Sequence, residues 1–473
     1  MADENTKEEL LREIFPYEIR FLLLCKDRRK VLMTREYEQW DLPVVDYPFQ
    51  SGSDANLAVR CCQDMEKAFS DQVHFVAVAE LLGDWIVWWR KKKRKRAHAT
   101  LVLAECVCHG GVDDLRLSQY SEWKNAQFVV SHLNDFDEHN VLRSVFQLVV
   151  SVMAPNTHFL GSLTGQRQKF GWHRKAANLL ISTAAADGAQ NIGRVSQVQV
   201  SETSTVLRAK SSQGYYYLKS PASGCEETSI TQKVADLFPE ACPKVLKLCT
   251  NLNCFVTREL GQAIEETEYR EIVCIIGDLH FKSLPHVEEL RDCGCPVRDL
   301  STLEEKIDVW AEGREFTEGD PVAVEQMREL RPLLHNMCTR LASHDIPLTL
   351  IHGDAALCNS ARSHSRKLGA LLFDWEFACI SHPFFDFHRI HDESDDSAII
   401  DEYLLRWFPA EQIAEARTAY DIGVHLGYFV KIWALSDRFN ASAPQIVSPV
   451  VSWARKLLRY KYWALIPRIR QMV

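Results

Sequence analysis

Two short segments in the last third of the chain carry side chains that suit phosphoryl transfer. The first, HGDAALCN, contains Asp354 and ends at Asn359, and the second, FDW, is centred on Asp374, fifteen residues further along. A carboxylate can orient and deprotonate an attacking hydroxyl, while carboxylate and amide oxygens are ligands that Mg²⁺ accepts. The spacing therefore predicts Asp354 as catalytic base and Asn359 and Asp374 as Mg²⁺ ligands.

The segment upstream carries residues that could hold a nucleotide. Three successive strands are predicted between residues 195 and 220, with Lys219 on the third, and a helix is predicted from Glu227 to Phe238. A lysine on such a strand can bind phosphates when a helix glutamate holds it, and Glu227 is the predicted partner, with Glu226 as competitor. The alternative is a solvated lysine and a glutamate favoured by the helix dipole.

Taken together, HGDxxxxN and FDW resemble the catalytic core of the aminoglycoside phosphotransferase and choline kinase-like family, which has the protein kinase-like fold. The resemblance covers about residues 172–460. It implies ATP and Mg²⁺ as cofactors, Asp354 as the catalytic base, and His352 as an orienting residue in the same loop. It also implies that Asp386 anchors this loop and takes no part in the chemistry.

The segment CFVTREL resembles the hinge of these kinases, where backbone groups bind the adenine edge. The resemblance implies that role for residues Thr257, Arg258, Glu259 and Leu260. One departure concerns the loop at residues 201–204, which has no glycine, so no G-x-G-x-x-G turn is expected to cradle the phosphates. Glu202 in that loop would repel phosphate if it pointed inward.

The predicted fold class is α+β. A bilobal protein kinase-like domain is expected, with a linker helix and β-rich N-lobe at residues 156–262 and a helical C-lobe with the catalytic loop at 263–473. A small α+β domain precedes it at residues 1–155. Helical periodicity in the C-lobe predicts helices at residues 264–282, 301–312, 322–344, 399–407, 411–437 and 448–460.

The first 155 residues alternate short apolar runs with turns. These runs predict strands at residues 21–25, 30–33, 74–82, 85–89, 98–107 and 146–153, with a helix between Asp54 and Phe69. The order of strands and helix, with Trp40-Asp41-Leu42-Pro43 before the helix, resembles a Nudix domain. The stretch Arg60 to Glu66 lacks most carboxylates of the R-E-x-x-E-E pattern, so the predicted Nudix-like domain is degenerate and does not hydrolyse.

Seven consecutive basic residues, Arg90 to Arg96, stand between two of the predicted strands. One interpretation is a nuclear-import signal or a contact with an anionic surface. The other is a hairpin tip that like charges keep soluble. The predicted location is the cytoplasm, with import through this run as the alternative.

Composition limits the possible functions. Apolar residues make up 46% of the 473 residues and charged residues 25%, which is typical of globular protein, and the net charge is −9. Because nucleic-acid binding needs a basic face, no nucleic-acid partner is predicted. No apolar stretch reaches the length of a membrane span, so membrane insertion is not predicted either.

The predicted partner is a small-molecule alcohol that accepts the phosphate. Carboxylates at residues 392–396, Glu376, and the rings of Trp375, Trp433 and Trp453 could form an acidic, aromatic-lined cleft that binds a cationic acceptor. The alternative is a solvated helix start and core tryptophans.

The function predicted from these features is ATP- and Mg²⁺-dependent phosphorylation of a small-molecule hydroxyl. The alternative is a catalytically weak pseudokinase or a ligand-binding sensor. The glycine-free loop favours this alternative, whereas the presence of Lys219, Asp354, Asn359 and Asp374 together favours the enzyme.

Overall fold

The computed structural model describes most of residues 171–440, with gaps at 201–203, 222–225, 263, 266–268, 363–368 and 394–396. Outside that range it describes strands within residues 17–125, Cys62, Arg167, Arg455 and residues 457–459. Several predicted features lie outside the described residues. They are the predicted Nudix helix with Arg60–Glu66, apart from Cys62, the basic run Arg90–Arg96, the predicted strands at 85–89 and 146–153, the loop at 201–203 and most of the predicted helix at 448–460.

Contacts divide the chain into two compact units. The first contains Met1–Ser223 and Cys249–Cys254, and the second contains Gly224–Leu248 and Phe255–Val473. Helices and strands are present in both, which confirms the predicted α+β class.

The first unit begins with a mixed sheet. β1 pairs in parallel with β6 and antiparallel with β2 and β4, and the strand order is β3-β2-β1-β6-β5, with β7 paired to β2. Four strands predicted from apolar runs are confirmed in this sheet. The strands are β1 Tyr17–Leu24, β2 Lys30–Glu36, β3 Gln39–Asp41, β4 Val44–Tyr47, β5 Phe75–Gly83, β6 Ala99–Cys106 and β7 Ser121–Asn125.

The first unit continues with a helix and an antiparallel meander, as predicted. These elements are α1 Trp172–Ala186, β8 Ser196–Val200, β9 Ser204–Ser211 and β10 Gly214–Pro221. Alternate residues of β10 are buried, which is the two-residue period of a strand with one covered face. The register pairs Lys219 with Val206. Within the meander, β9 pairs antiparallel with both β8 and β10. The next strands along the chain are β11 Val245–Cys249 and β12 Cys254–Arg258.

The second unit is mainly helical. Its helices are α2 Glu227–Leu237, α3 Tyr269–Ser283, α4 Val287–Asp292, α5 Leu300–Ala311, α6 Pro321–Ala342, α7 Ile390–Glu393, α8 Ser397–Leu404 and α9 Ile413–Asn440. Two of these helices begin at aspartates that accept a backbone amide: Asp299 from Thr302 at 2.8 Å and Asp320 from Ala323 at 3.1 Å. Five of the predicted C-lobe helices are confirmed, while the short helices α4 and α7 were not predicted.

Short strands interrupt the helices of the second unit and position its loops. They are β13 Val297–Arg298, β14 Thr349–Ile351, β15 Ser360–Arg362, β16 Ala370–Leu372 and β17 Cys379–Ser381. β17 lies between β13 and β14, and β15 pairs with β16 as a two-stranded hairpin. The HGDAALCN and FDW segments, which carry the predicted catalytic and metal-binding residues, therefore follow or flank short strands, as the sequence indicated.

Helix α9 packs closely on the turn at Pro383–Phe387. At Gly427 a Cβ atom would lie 2.5 Å from the carbonyl oxygen of Phe385, so only glycine allows the two backbones to approach this far. The close approach at Gly427 helps to determine where the next turn of α9, which carries Lys431, contacts the loop after β14. Among the described helices, none combines the length and apolar composition needed to cross a bilayer.

Candidate active site

A buried carboxylate holds the loop that carries Asp354. The backbone amides of His352 and Gly353, directly after β14, each donate a hydrogen bond of 2.8 Å to Asp386, which is fully buried. His280 Nε2 lies 3.3 Å from the same carboxylate. Burial acts to raise the pKa of Asp386, but the hydrogen bonds from His280 and the His352 amide outweigh it, so the pKa lies below its usual value. The prediction that Asp386 anchors this loop is confirmed.

Gly353 allows the loop to pass close to a neighbouring backbone. Its φ is +74°, and a Cβ atom at this position would lie 2.3 Å from the carbonyl oxygen of Phe377. Both the left-handed conformation and the missing side chain are therefore required. The glycine of the HGD segment thus determines the path of the chain into Asp354.

His352 connects the two predicted segments. Its Nε2 donates a 2.9 Å hydrogen bond to the carbonyl of Phe373, the residue before Asp374, and its ring packs against Trp375. Burial lowers the pKa of His352, which keeps the imidazole neutral at physiological pH. These contacts give His352 a positioning role between the loop and the strand end.

Asn359 is hydrogen-bonded to the residue predicted as the base. Its amide nitrogen donates to the backbone oxygen of Asp354 at 2.8 Å and to the Oδ2 atom at 3.1 Å. Because the nitrogen makes both of these bonds, the amide oxygen is the atom that remains to bind a metal ion. Its contact within the chain is a long one, 3.7 Å from Cys358 Sγ.

The β15–β16 hairpin brings Asn359 and Asp374 to the same end of one ladder. Ser360 lies opposite Leu372, and the Phe373 amide donates a 3.0 Å hydrogen bond to the Asn359 carbonyl. The fifteen-residue spacing between Asn359 and Asp374 thus corresponds to a hairpin that brings the chain back beside Asn359.

Three carboxylates meet at the end of this hairpin. Ligand oxygens of Glu227, Asp374 and Glu376 all lie within 4.8 Å of one another, and Glu227 is fully buried. Asp374 has a φ of +70°, a conformation that costs energy in a residue with a side chain. Oxygen donors of this kind fit Mg²⁺, and a cation relieves the mutual repulsion of clustered carboxylates.

Two cations contact the other face of Asp354. Lys431 Nζ, on α9, lies 2.8 Å from the Oδ1 atom, and Arg389 Nη1 lies 3.1 Å from the same oxygen. Burial acts to raise the pKa of Asp354, but Lys431 and then Arg389 outweigh it and lower the pKa to about 2. Asp354 is therefore ionised at neutral pH.

Sequence reasoning missed both of these cations. Lys431 interrupts an apolar run of α9, HLGYFVKIWAL, and a lone lysine flanked by apolar residues on a buried helix is a signal that could have been used. Arg389 follows Asp386 by three residues and has no comparable signal. Glu376, which was considered for acceptor binding, lies in the carboxylate cluster instead.

The residues predicted to bind the nucleotide occupy both units. Lys219 lies on β10 in the first unit and Glu227 begins α2 in the second, and their pairing stays a prediction. Thr257 and Arg258 end β12, and Glu259 and Leu260 follow it. The chain just beyond them is fixed to β15, because the Arg362 amide donates to the Gln262 carbonyl at 2.8 Å.

The tryptophans proposed to line an acceptor cleft are core residues where the structure describes them. Trp375 is fully buried and its indole nitrogen donates to the Leu372 carbonyl. Trp433 is buried against Arg298, whose guanidinium carbon lies 5.5 Å from the ring centre. Trp453 and the carboxylate side chains of residues 392–396 lie outside the described residues.

No protein-family model matches this chain, and no curated protein matches it. Solved structures that resemble it include an ethanolamine kinase from Plasmodium vivax, 12% identical with a TM-score of 0.46, over 74% of this chain and 96% of that one. A choline kinase from Streptococcus pneumoniae is 14% identical with a TM-score of 0.39, over 61% and 99%. An aminoglycoside 2′-phosphotransferase is 17% identical with a TM-score of 0.43, over 61% and 97%. These structural neighbours are kinases and phosphotransferases of the family that the HGD and FDW segments resemble.

Proposed function

We propose that this protein transfers a phosphoryl group from ATP, with Mg²⁺, to a hydroxyl group of a small molecule. The observation that carries the proposal is the loop geometry: an ionised Asp354 hydrogen-bonded to Asn359, with a hairpin that returns Asp374 to the same place. Phosphoryl transfer needs a positioned nucleophile and charge stabilisation, with little covalent chemistry by the protein. This arrangement offers groups for both.

Asp354 accepts a hydrogen bond from the acceptor hydroxyl and orients its oxygen for in-line attack. A pKa of about 2 makes this carboxylate a weak base. A loose transition state requires little proton removal before the phosphoryl group moves, so orientation is the larger contribution. The proton then passes from the hydroxyl to Asp354 as the new bond to the γ-phosphorus forms and the bond between that phosphorus and its bridging oxygen breaks, which releases ADP.

The metal ligands in this proposal are Asn359 and Asp374, with Glu376 and Glu227 as further oxygen donors of the same cluster. When bound, Mg²⁺ supplies positive charge to the phosphates during transfer. Lys219 is the proposed phosphate-binding lysine, and the backbone of residues 257–260 is the proposed adenine-binding segment. The roles of Asn359, Asp374, Lys219 and residues 257–260 follow the family resemblance, whereas the metal-binding role of Glu376 and Glu227 rests on the carboxylate cluster.

The test is ATP consumption in the presence of Mg²⁺ with a library of small alcohols, with products detected by mass. We expect Asp354→Asn to lower turnover by about 10²- to 10⁴-fold, the usual contribution of acid–base catalysis. Asp374→Asn should lower it further and weaken nucleotide binding that depends on Mg²⁺. Asp278→Asn, in an exposed pair with Arg406, is the matched control and should leave turnover unchanged. Unchanged turnover in Asp354→Asn would refute the assignment.

A nucleotide-binding sensor without transfer is the second candidate. The observation that favours it is that both oxygens of Asp354 are already engaged, by an ion pair with Lys431 and by hydrogen bonds from Arg389 and Asn359. The two candidates differ in one measurement. A sensor would show a Mg²⁺-dependent thermal shift with ATP and no phosphorylated product from any alcohol, whereas an enzyme shows both.

A further inference from the structure

Two cations contact the same oxygen of Asp354. Among the described residues, Lys431 forms an ion pair with Oδ1, Arg389 donates a hydrogen bond to that oxygen, and the remaining donor on this carboxylate, Asn359, is neutral. The nearby imidazole of His388 is fully buried and its pKa is lowered by burial to about 4, so it adds no charge at neutral pH. Of the described groups that contact Asp354, two are cations and none is a second anion, so one cation is left over at this carboxylate, while the carboxylates of Glu227, Asp374 and Glu376 form the separate cluster at the end of the hairpin.

The two cations differ in their surroundings. The Lys431 side chain is only 4% exposed, and its Nζ atom lies 3.1 Å from the centre of the Phe377 ring. A buried ammonium is costly unless a carboxylate neutralises it, so Asp354 and Lys431 form a structural ion pair. Arg389, whose side chain is 33% exposed, is then the surplus cation on the open side of the site.

Arg389 uses few of its hydrogen-bond donors among the described residues. There, Nη1 donates to Asp354 and Nη2 lies 3.4 Å from Cys358 Sγ. A guanidinium carries five N–H donors in a planar fork that matches carboxylate and phosphate oxygens. A partly exposed guanidinium next to the residue that holds the acceptor hydroxyl is suited to bind a second, anionic group of the same acceptor.

Resting on the proposed phosphotransferase function, we infer that the phosphate acceptor is an anionic alcohol, a hydroxyl compound that also carries a carboxylate or phosphate group, and that Arg389 binds this acidic group. The inference opposes the cationic acceptor that the acidic run at residues 392–396 suggested. It also gives Arg389 a specificity role distinct from the orienting role of Asp354. The acidic group compensates the surplus charge while the hydroxyl bonds to Asp354.

The experiment compares three alcohols with three carbon atoms each, whose second terminal group is negative, neutral or positive: 3-hydroxypropionate, 1,3-propanediol and 3-amino-1-propanol. Binding to the full-length protein with Mg²⁺ and a non-hydrolysable ATP analogue is measured by ligand-observed NMR at millimolar concentration. We expect the carboxylate probe to bind about tenfold more tightly than the diol, as one charge-assisted hydrogen-bond pair allows, and the ammonium probe to bind weakest.

Substitution of Arg389 identifies the responsible group. Arg389→Gln should abolish the preference for the carboxylate, and Arg389→Lys should keep part of it. Arg417→Gln, which removes an exposed guanidinium paired with Asp401, is the matched control and should leave the preference intact. Replacing 3-hydroxypropionate with 2-hydroxyethyl phosphate distinguishes a carboxylate from a phosphate as the preferred acidic group.

Several outcomes would overturn the inference. Equal or tighter binding of the ammonium probe would favour a cationic acceptor, and absence of binding by both anionic probes would leave Arg389 without an acceptor role. A loss of ATP-analogue affinity in Arg389→Gln, with the probe preference unchanged, would assign the cation to the nucleotide phosphates. Failure of the proposed function is separate, because it shows as absence of the Mg²⁺-dependent thermal shift with ATP in the unsubstituted protein.

Discussion

Asp354 has two roles that place opposite demands on it. As the residue that orients the hydroxyl, it needs an accessible oxygen, yet it also neutralises a buried lysine. The carboxylate side chain is 17% exposed, so both contacts are geometrically available on one group. Because a buried charge without its partner is destabilising, Asp354 is expected to matter for stability as well as for activity.

This dual role predicts non-additive effects of substitution. Asp354→Asn leaves the Lys431 ammonium buried without its carboxylate and should lower the free energy of unfolding by about 3–5 kcal/mol. Lys431→Met alone should cost less, because Arg389 still pairs with Asp354. The double variant should recover much of the loss, since an apolar side chain suits a site 4% exposed.

The measurement is a double-mutant cycle on urea unfolding at neutral pH. A coupling of several kcal/mol between the two positions supports a structural ion pair. Additive losses of stability would mean that the Lys431 ammonium is not stabilised by Asp354. The assignment of Lys431 to a structural ion pair and of Arg389 to acceptor binding would then be wrong.

At the scale of elements, the loop after β14 depends on backbone geometry as much as on side chains. Gly353 and Gly319 have the same φ of +74°, but a Cβ at Gly319 would have nothing within 4 Å, whereas at Gly353 it would meet the Phe377 carbonyl. The two glycines therefore separate the cost of the conformation from the cost of the close approach.

Gly319→Ala should lower the free energy of unfolding by about 1–2 kcal/mol, the cost of a left-handed conformation in a residue with a Cβ. Gly353→Ala should cost about 1–3 kcal/mol more because backbone must move, and it should also lower turnover by displacing Asp354. Equal losses of stability in the two variants, with turnover retained in Gly353→Ala, would contradict the importance of the close approach.

Elements were predicted from the sequence more successfully than contacts were. The periodicity of apolar residues located the α1 helix, the β8–β10 meander and most helices of the second unit to within a few residues, because each signal is local. The HGD and FDW segments located the loop and the hairpin end for the same reason. The apolar run around Lys431 indicates a buried lysine, but its partner Asp354 depends on how α9 packs on the Pro383–Phe387 turn, and no local pattern identifies that partner.

The predicted acceptor cleft also depended on contacts that the sequence does not show. Trp375 was considered as a cleft residue because it is an aromatic residue of the lobe expected to bind the acceptor, but a large apolar ring gains more by burial, and it is fully enclosed. The presence of an aromatic residue in the right lobe therefore does not show that its side chain lines the site.

At the scale of the whole molecule, the described part of the second unit buries several histidines in neutral form. Burial lowers the pKa of His382 to about 3 and that of His388 to about 4, and it also lowers the pKa of His352. In the unfolded chain each would titrate near its ordinary pKa of about 6.5. Between pH 6.5 and about 4 the unfolded state therefore binds more protons than the folded one, so stability falls as the pH falls.

His382 is the position at which this can be tested with least disturbance. Its Nδ1 accepts the Phe384 amide at 3.3 Å at the start of a 3-10 turn, and the amide oxygen of an asparagine can take over that bond. His382→Asn removes one titrating group, so the pH slope of the unfolding free energy between pH 6 and 5 should decrease by about 1.4 kcal/mol per pH unit. Burial also acts on Asp354 and Asp386, but their lowered pKa values confine their effect to pH below about 4, outside this window.

The experiment is urea unfolding of both proteins from pH 8 to pH 5. Convergence of the two stabilities toward pH 5, relative to their difference at pH 8, supports the assignment, and parallel curves would show that His382 is not the buried neutral group inferred from the structure.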